Sequence, residues 1–132
     1  MWIVLDSNVY ISAALSVEGH CRSILKLAEK GMLDVAIADP ISNEVERILK
    51  QKLHWSHGKS DLWMNYILSF THRVQPQQQV HDCSDPDDNR ILECALESCA
   101  EVIVTGDSHL LVLHPYRRIK ILTPRQFLES AI

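Results

Sequence analysis

The sequence predicts a three-layer α/β/α fold built on a central parallel sheet. Two observations carry that expectation. The apolar runs Trp2-Ile3-Val4-Leu5, 33–38 and Val102-Ile103-Val104 are continuous, with no alternation of apolar and polar residues. Strands of that kind are buried on both faces, as parallel strands between two helical layers are. The runs also alternate with helical stretches throughout, and right-handed crossovers then place the helices on both sides of the sheet. A chain of 132 residues fits a single domain, 1–132. At this size roughly two-thirds of the unfolded surface is buried on folding, so no covalent staple is required.

Taken in order, Trp2 to Leu5 is a β-branched strand closed by Asp6-Ser7-Asn8, which reads as a helix start. Residues 8–15 and 20–30 are predicted helical, the second carrying Ile24, Leu25, Leu27 and Ala28 on one stripe and ending at Gly31. Leu33 to Ala38 is a second strand, closed by Asp39-Pro40, and a helix runs from Ile41 to Leu53. A loop over 52–59 precedes a helix from Ser60 to His72. Val74 to Val80 reads as a short or broken strand because of Pro76 and three glutamines. Ser84 or Asp85 caps a helix with Pro86 in its first turn, extending to Cys99. Glu101 to Thr105 is a third clear strand and Ile119 to Leu122 the last, and Thr123-Pro124 opens a terminal helix.

Composition removes several classes of function. No apolar run approaches the ~18 residues of a membrane span. The N-terminus lacks the basic region of a signal peptide. Cys21, Cys83, Cys94 and Cys99 show no CxxC or paired CxxH spacing, so the expectation is free thiols in a reducing cytoplasm and no zinc. A net charge of −4 argues against a basic DNA-binding module. It argues less against a nuclease whose acids are neutralised by cations.

The acids themselves are placed suggestively. Ligands of open parallel sheets bind beyond the carboxyl ends of the strands, and Asp6 and Asp107 fall there. Glu44 shares the apolar stripe of Ile41, Val45 and Ile48, whereas Glu46, the competing acid, points toward Lys50. Asp88 precedes Ile91, Leu92 and Ala95 at helical spacing and also faces inward, with Asp87 rotated away beside Arg90. Each could serve an ordinary end: Asp6 and Asp107 as helix caps, Asp88 beside a helix dipole, Glu44 on a lysine. Four together in one crevice would repel unless a cation sat between them. Oxygen donors without organised His or Cys favour Mg²⁺ or Mn²⁺. No histidine is assigned a catalytic part.

The segments 85–95, Asp-Pro-Asp-Asp-Asn-Arg-Ile-Leu-Glu-Cys-Ala, and 102–107, Val-Ile-Val-Thr-Gly-Asp, make the chain resemble the PIN domains, specifically the prokaryotic toxin-type (VapC-like) ribonucleases. The similarity runs from Trp2-Ile3-Val4-Leu5-Asp6 to the closing 121–128 segment. It implies strand order 3-2-1-4-5 and a catalytic, metal-holding set of Asp6, Glu44, Asp88 and Asp107. Ser7, Asn8 and Thr105 resemble the family's small polar residues that orient carboxylates or metal-bound water. The resemblance further implies metal-assisted cleavage of RNA to 5′-phosphate and 3′-hydroxyl products, an antitoxin protein as partner and a homodimer. Lys50, Lys52, His54, Trp55, His57 and Lys59 are candidates for gripping phosphate and stacking a base, with Arg117, Arg118 and Lys120 a second basic group.

Three other readings compete. A phosphatase or dehalogenase with Asp6 as nucleophile would want a second acid where Asn8 stands. A receiver-like signalling domain would want an acidic pair before the first helix. A catalytically inactive PIN-like scaffold that binds RNA or protein would be expected to have lost part of the acidic set.

Overall fold

The computed structural model describes residues 1–131. Five parallel strands form one sheet: β1 (Trp2–Leu5), β2 (Asp34–Ile37), β3 (Thr71–Arg73), β4 (Val102–Val104) and β5 (Lys120–Leu122). Their order is β3-β2-β1-β4-β5, as expected. Helices α1 (Ser7–Leu15), α2 (His20–Glu29), α3 (Asp39–Arg47), α4 (His57–Phe70), α5 (Pro86–Ser98), α6 (Ser108–Leu111) and α7 (Pro124–Ala131) connect and flank the strands, completing the α/β/α layers. Strand residues Ile3, Val4, Leu5, Val35, Ile103 and Val104 are fully buried, which is why these runs show no alternation. Helix α5 packs across β1, β2 and β4, and α2 packs on α7.

Register fixes the site. Ile3 pairs with Val102 and Leu5 with Val104, so β1 and β4 finish side by side. The residues just past each strand therefore open on the same crevice, at the point where strand order reverses.

Two stretches depart from expectation. Helix α3 does not run unbroken to Leu53: residues 48–52 form a π turn in which the Leu53 amide donates to the Ile48 carbonyl (3.0 Å). The chain then bends back so that Trp55 N–H reaches the Leu49 carbonyl (2.9 Å), and α4 begins by His57, capped by Ser56 Oγ. The intervening loop is thus shorter than 52–59. The edge strand also lies earlier than predicted. Thr71 and His72, expected as the end of a helix, pair with β2 together with Arg73, and the Trp2 ring sits against His72 with centroids 4.8 Å apart.

The stretch 74–80 is instead an irregular strap, and α5 explains it. Asn89, Glu93 and Glu97, spaced one turn apart, accept the backbone N–H groups of Cys83 (2.8 Å), Val80 (3.0 Å) and Gln77 (2.9 Å). Asn89 also donates to the Cys83 carbonyl (2.9 Å), and Glu93 forms an ion pair with Arg90 (3.1 Å). The amides of Gln77 and Val80 are thus satisfied by a helix's side chains rather than by a sheet. It follows that Glu93→Ala, which strands the buried Val80 amide, should cost about 1–3 kcal/mol in urea unfolding. Hydrogen exchange at Val80 should accelerate; unchanged protection there would show that the strap is held by something else.

Candidate active site

Three bonds set the floor of the crevice. Thr105, fully buried directly after β4, donates its hydroxyl to Asp6 Oδ2 (2.7 Å) and accepts the Asp107 N–H (2.9 Å). One hydroxyl thereby ties the end of β1 to the end of β4. Asp107 Oδ1 accepts the His109 N–H (2.9 Å), capping α6. Asp6 precedes α1 yet makes no side-chain cap bond, so its carboxylate is turned to Thr105 and the crevice.

Asp88 comes from the first turn of α5. Its neighbour Asp85 is the cap, accepting the Asp87 N–H (2.9 Å), which leaves Asp88 without that task. Asp88 is only 5 % exposed, and its Oδ2 has no hydrogen-bond partner. The ligand atoms of Asp88, Asp107 and His109 all lie within 4.8 Å of one another. His109 Nδ1 is 3.3 Å from Asp107 Oδ1.

Glu44 approaches from α3, half-buried, and accepts the Ser7 hydroxyl (3.1 Å). Glu46 is turned away into a 2.6 Å pair with Lys50. Of the two acids, Glu44 is therefore the one that faces the crevice.

The electrostatics follow from burial without cations. Asp88 is pushed up to about 7, first by burial and then by the charges of Asp107, Asp85 and Asp6. Asp6 is raised mainly by burial; the Thr105 hydroxyl opposes the shift, and Asp107 adds to it. Glu44 is raised by burial, against the Ser7 hydrogen bond, with Asp87 and Asp6 adding to it and Arg47 opposing. Among the described residues no Lys or Arg forms an ion pair with any of these four acids. A buried carboxylate oxygen without a partner costs a few kcal/mol, and the remaining remedies are a proton or a cation. Oxygen donors crowded at this spacing fit a hard divalent ion. Of the ordinary roles considered from the sequence, Asp107 does cap a helix and Asp88 does lie in a helix's first turn, but neither role supplies a partner for the buried Asp88 oxygen.

The other expected residues scatter. Ser7 and Thr105 each orient a carboxylate, while Asn8 is exposed at the rim. Lys50 is engaged by Glu46, and Trp55, packed partly against the core, is covered by Lys59 Nζ at 4.0 Å from its ring centre. Lys52 is exposed. The second basic group lies elsewhere altogether. Arg117 pairs with Asp82 (3.5 Å), and Arg118 and Lys120 line a cavity of about 390 Å³ with Met1, Glu101 and Val102, at the amino ends of the strands. Arg118 and Lys120 thus lie at the opposite end of the sheet from the crevice. Sequence reasoning gave His109 no role, and the structure sets its ring beside Asp107. The usable signal was its position two residues after Asp107, where a helix cap turns the i+2 residue back onto its own acid.

A family model of the PIN domain matches residues 2–109, a span holding all four acids. An uncharacterized protein of Methanocaldococcus jannaschii is 28 % identical over 140 aligned positions, covering 97 % of this chain and 90 % of the relative. Among solved structures, a chain of VapBC2 from Rickettsia felis, crystallised bound to a DNA fragment from their promoter, superposes with a TM-score of 0.61. That match covers 92 % of this chain and 97 % of the other at 17 % identity, a likeness of fold.

A carboxyl group raised from 3.8 to about 7 binds its proton more tightly folded than unfolded. The fold therefore loses stability as pH rises from about 4 to about 7. Asp6 and Glu44 shift in the same direction and add to the loss. In EDTA, Asp88→Asn should remove much of this dependence and be more stable than the parent at pH 8, by on the order of 1–3 kcal/mol. Parallel stability–pH curves for the two proteins would refute the buried-carboxylate account. Thr105→Val, nearly equal in volume, should cost about 1–3 kcal/mol because it strips Asp6 of its donor; thermal unfolding measures it, and Thr105→Ser should recover most of the loss.

Proposed function

Because this chain belongs to the PIN-domain family of nucleases, whose members generally use divalent metals, we propose that it is a Mg²⁺- or Mn²⁺-dependent endoribonuclease. The observation that supports this most is Asp88: a buried carboxylate with an unpartnered oxygen, set against Asp107, with no Lys or Arg among the described residues paired to either. Asp6, Glu44, Asp88 and Asp107 would hold the ion. When bound, a divalent cation would supply a Lewis acid for phosphate oxygens and make its bound water more acidic than bulk water.

The chain's own residues do the positioning. Thr105 fixes the Asp6 carboxylate across the β1–β4 gap, and Ser7 fixes Glu44 from the start of α1. Burial of Asp6 and Asp88 gives the floor a low effective dielectric, in which the attraction between a bound cation and a phosphodiester placed above it would be strengthened. No side chain has to serve as nucleophile: attack by water on phosphorus with the 3′-oxygen leaving would give a 5′-phosphate and a 3′-hydroxyl. Asn8 at the rim and Lys52 past the end of α3 are exposed and free to meet RNA, whereas Lys50 and Trp55 would first have to leave their present partners.

We extend the fold likeness to VapBC2 in proposing that this chain is the toxin of a type II toxin–antitoxin pair, held inactive by an antitoxin protein and active as a homodimer. Four free cysteines suit a reducing cytoplasm. Among the described residues no helix is long and apolar enough to cross a membrane.

The test is cleavage of single-stranded and structured RNA by purified protein in Mg²⁺, Mn²⁺ or EDTA, beside Asp6→Asn and Asp107→Asn. Cutting should need metal, leave 5′-phosphate ends and fall by at least about a hundredfold in each variant. Cutting that survives in both variants would remove these acids from the mechanism. Mn²⁺ binding without cleavage would point to a narrow RNA substrate, and failure to bind metal at all would favour an inactive scaffold.

A further inference from the structure

We infer that His109 is itself a ligand in this crevice, so that the ion held by Asp88 and Asp107 also takes an imidazole nitrogen and is Mn²⁺ in preference to Mg²⁺. The inference rests on the reading of the crevice as a metal site and specifies what that site selects. Two constraints bring the ring there. The His109 amide is bound by Asp107 Oδ1 at 2.9 Å, which fixes the backbone, and Nδ1 stands 3.3 Å from the same oxygen. Nitrogen and carboxylate oxygens within 4.8 Å need only a small contraction to surround an ion, whose ligands at about 2.1 Å lie roughly 3–4 Å apart. The ring is 71 % exposed and free to make that movement.

The independent pointer is the buried Asp88 oxygen that lacks a partner and belongs to the same three-residue group. An exposed His–Asp pair contributes little by itself, so pairing with Asp107 gives a weak reason for the ring to be held here. As a ligand it has a consequence for selectivity. Mg²⁺ keeps its waters and prefers oxygen donors, whereas imidazole raises affinity along the series from Mn²⁺ onward. An all-carboxylate crevice would leave the two ions close to equivalent; one nitrogen donor separates them.

The experiment uses the full chain, stripped of metal and loaded with Mn²⁺ alone. Pulsed electron paramagnetic resonance reads ¹⁴N coupling to the ion, and calorimetry reads Mn²⁺ and Mg²⁺ affinities. The proteins are the parent, His109→Ala, and His20→Ala, an exposed histidine at the start of α2. Nitrogen coupling should be present in the parent and in His20→Ala and absent in His109→Ala. Mn²⁺ affinity should fall roughly tenfold in His109→Ala while Mg²⁺ affinity moves by less than about twofold. Bound Mn²⁺ with no nitrogen coupling in the parent, or coupling that persists in His109→Ala, overturns the inference and leaves the carboxylate site standing. A parent chain that binds no Mn²⁺ overturns both.

Discussion

Two neighbouring strands of this sheet end in acids, a third acid drops onto them from a helix, and no lysine or arginine pairs with any of the three among the described residues. That arrangement is the constraint the surrounding structure has to accommodate. A hydrogen bond returns about 1 kcal/mol net, while an uncompensated buried carboxylate costs several. The Thr105 hydroxyl on Asp6 and the Ser7 hydroxyl on Glu44 therefore orient these groups without balancing their charge. The raised proton affinity of Asp88 is the mark of that imbalance. A folded domain tolerates such a defect when the core beneath it is well buried, as Ile3, Val4, Leu5, Ile103 and Val104 are here.

Helix α5 serves two surfaces at once. Asp88 is directed into the crevice, and Asn89, one residue on and some 100° around the helix, begins the row that secures the strap. Buried Glu93 belongs to that second row, satisfied by the Val80 amide and Arg90. The acidic motif that looks uniform in sequence thus divides by helical phase into a crevice residue, a cap and two strap residues. Asp85, Asp88 and Glu93 carry the same chemistry to three different surroundings.

Local periodicity was enough to find Asp6, Asp88 and Asp107, because strand ends and helix stripes are short-range properties. It favoured Glu44 over Glu46 through the spacing to Lys50 but left the choice between them open; the Glu46–Lys50 pair turns Glu46 away from the crevice. Features that depend on distant partners lay beyond its reach. Thr71–Arg73 has no strand pattern of its own and becomes β3 through pairing with β2 and the ring of Trp2. The strap looks like a poor strand because its donors are matched by side chains up to 20 residues away. Lys120 reads as a basic neighbour of the site until the register of β5 puts it at the opposite end of the sheet. His109 was passed over because an isolated histidine carries no periodic signal.

The way the strap is secured bears on how this chain behaves in crowded solution. An extended polar segment leaving the outermost strand β3 would ordinarily present a row of unused N–H groups, a template on which another molecule can lay a strand. Here the amides of Gln77, Val80 and Cys83 are already occupied from within, at every third residue, and Pro76 has none to offer. Intermolecular growth along this segment would have to displace anchored side chains of α5 wherever it needed the Gln77, Val80 or Cys83 amide. The helix that supplies the crevice with Asp88 also takes up three of the donors on which such an association would draw.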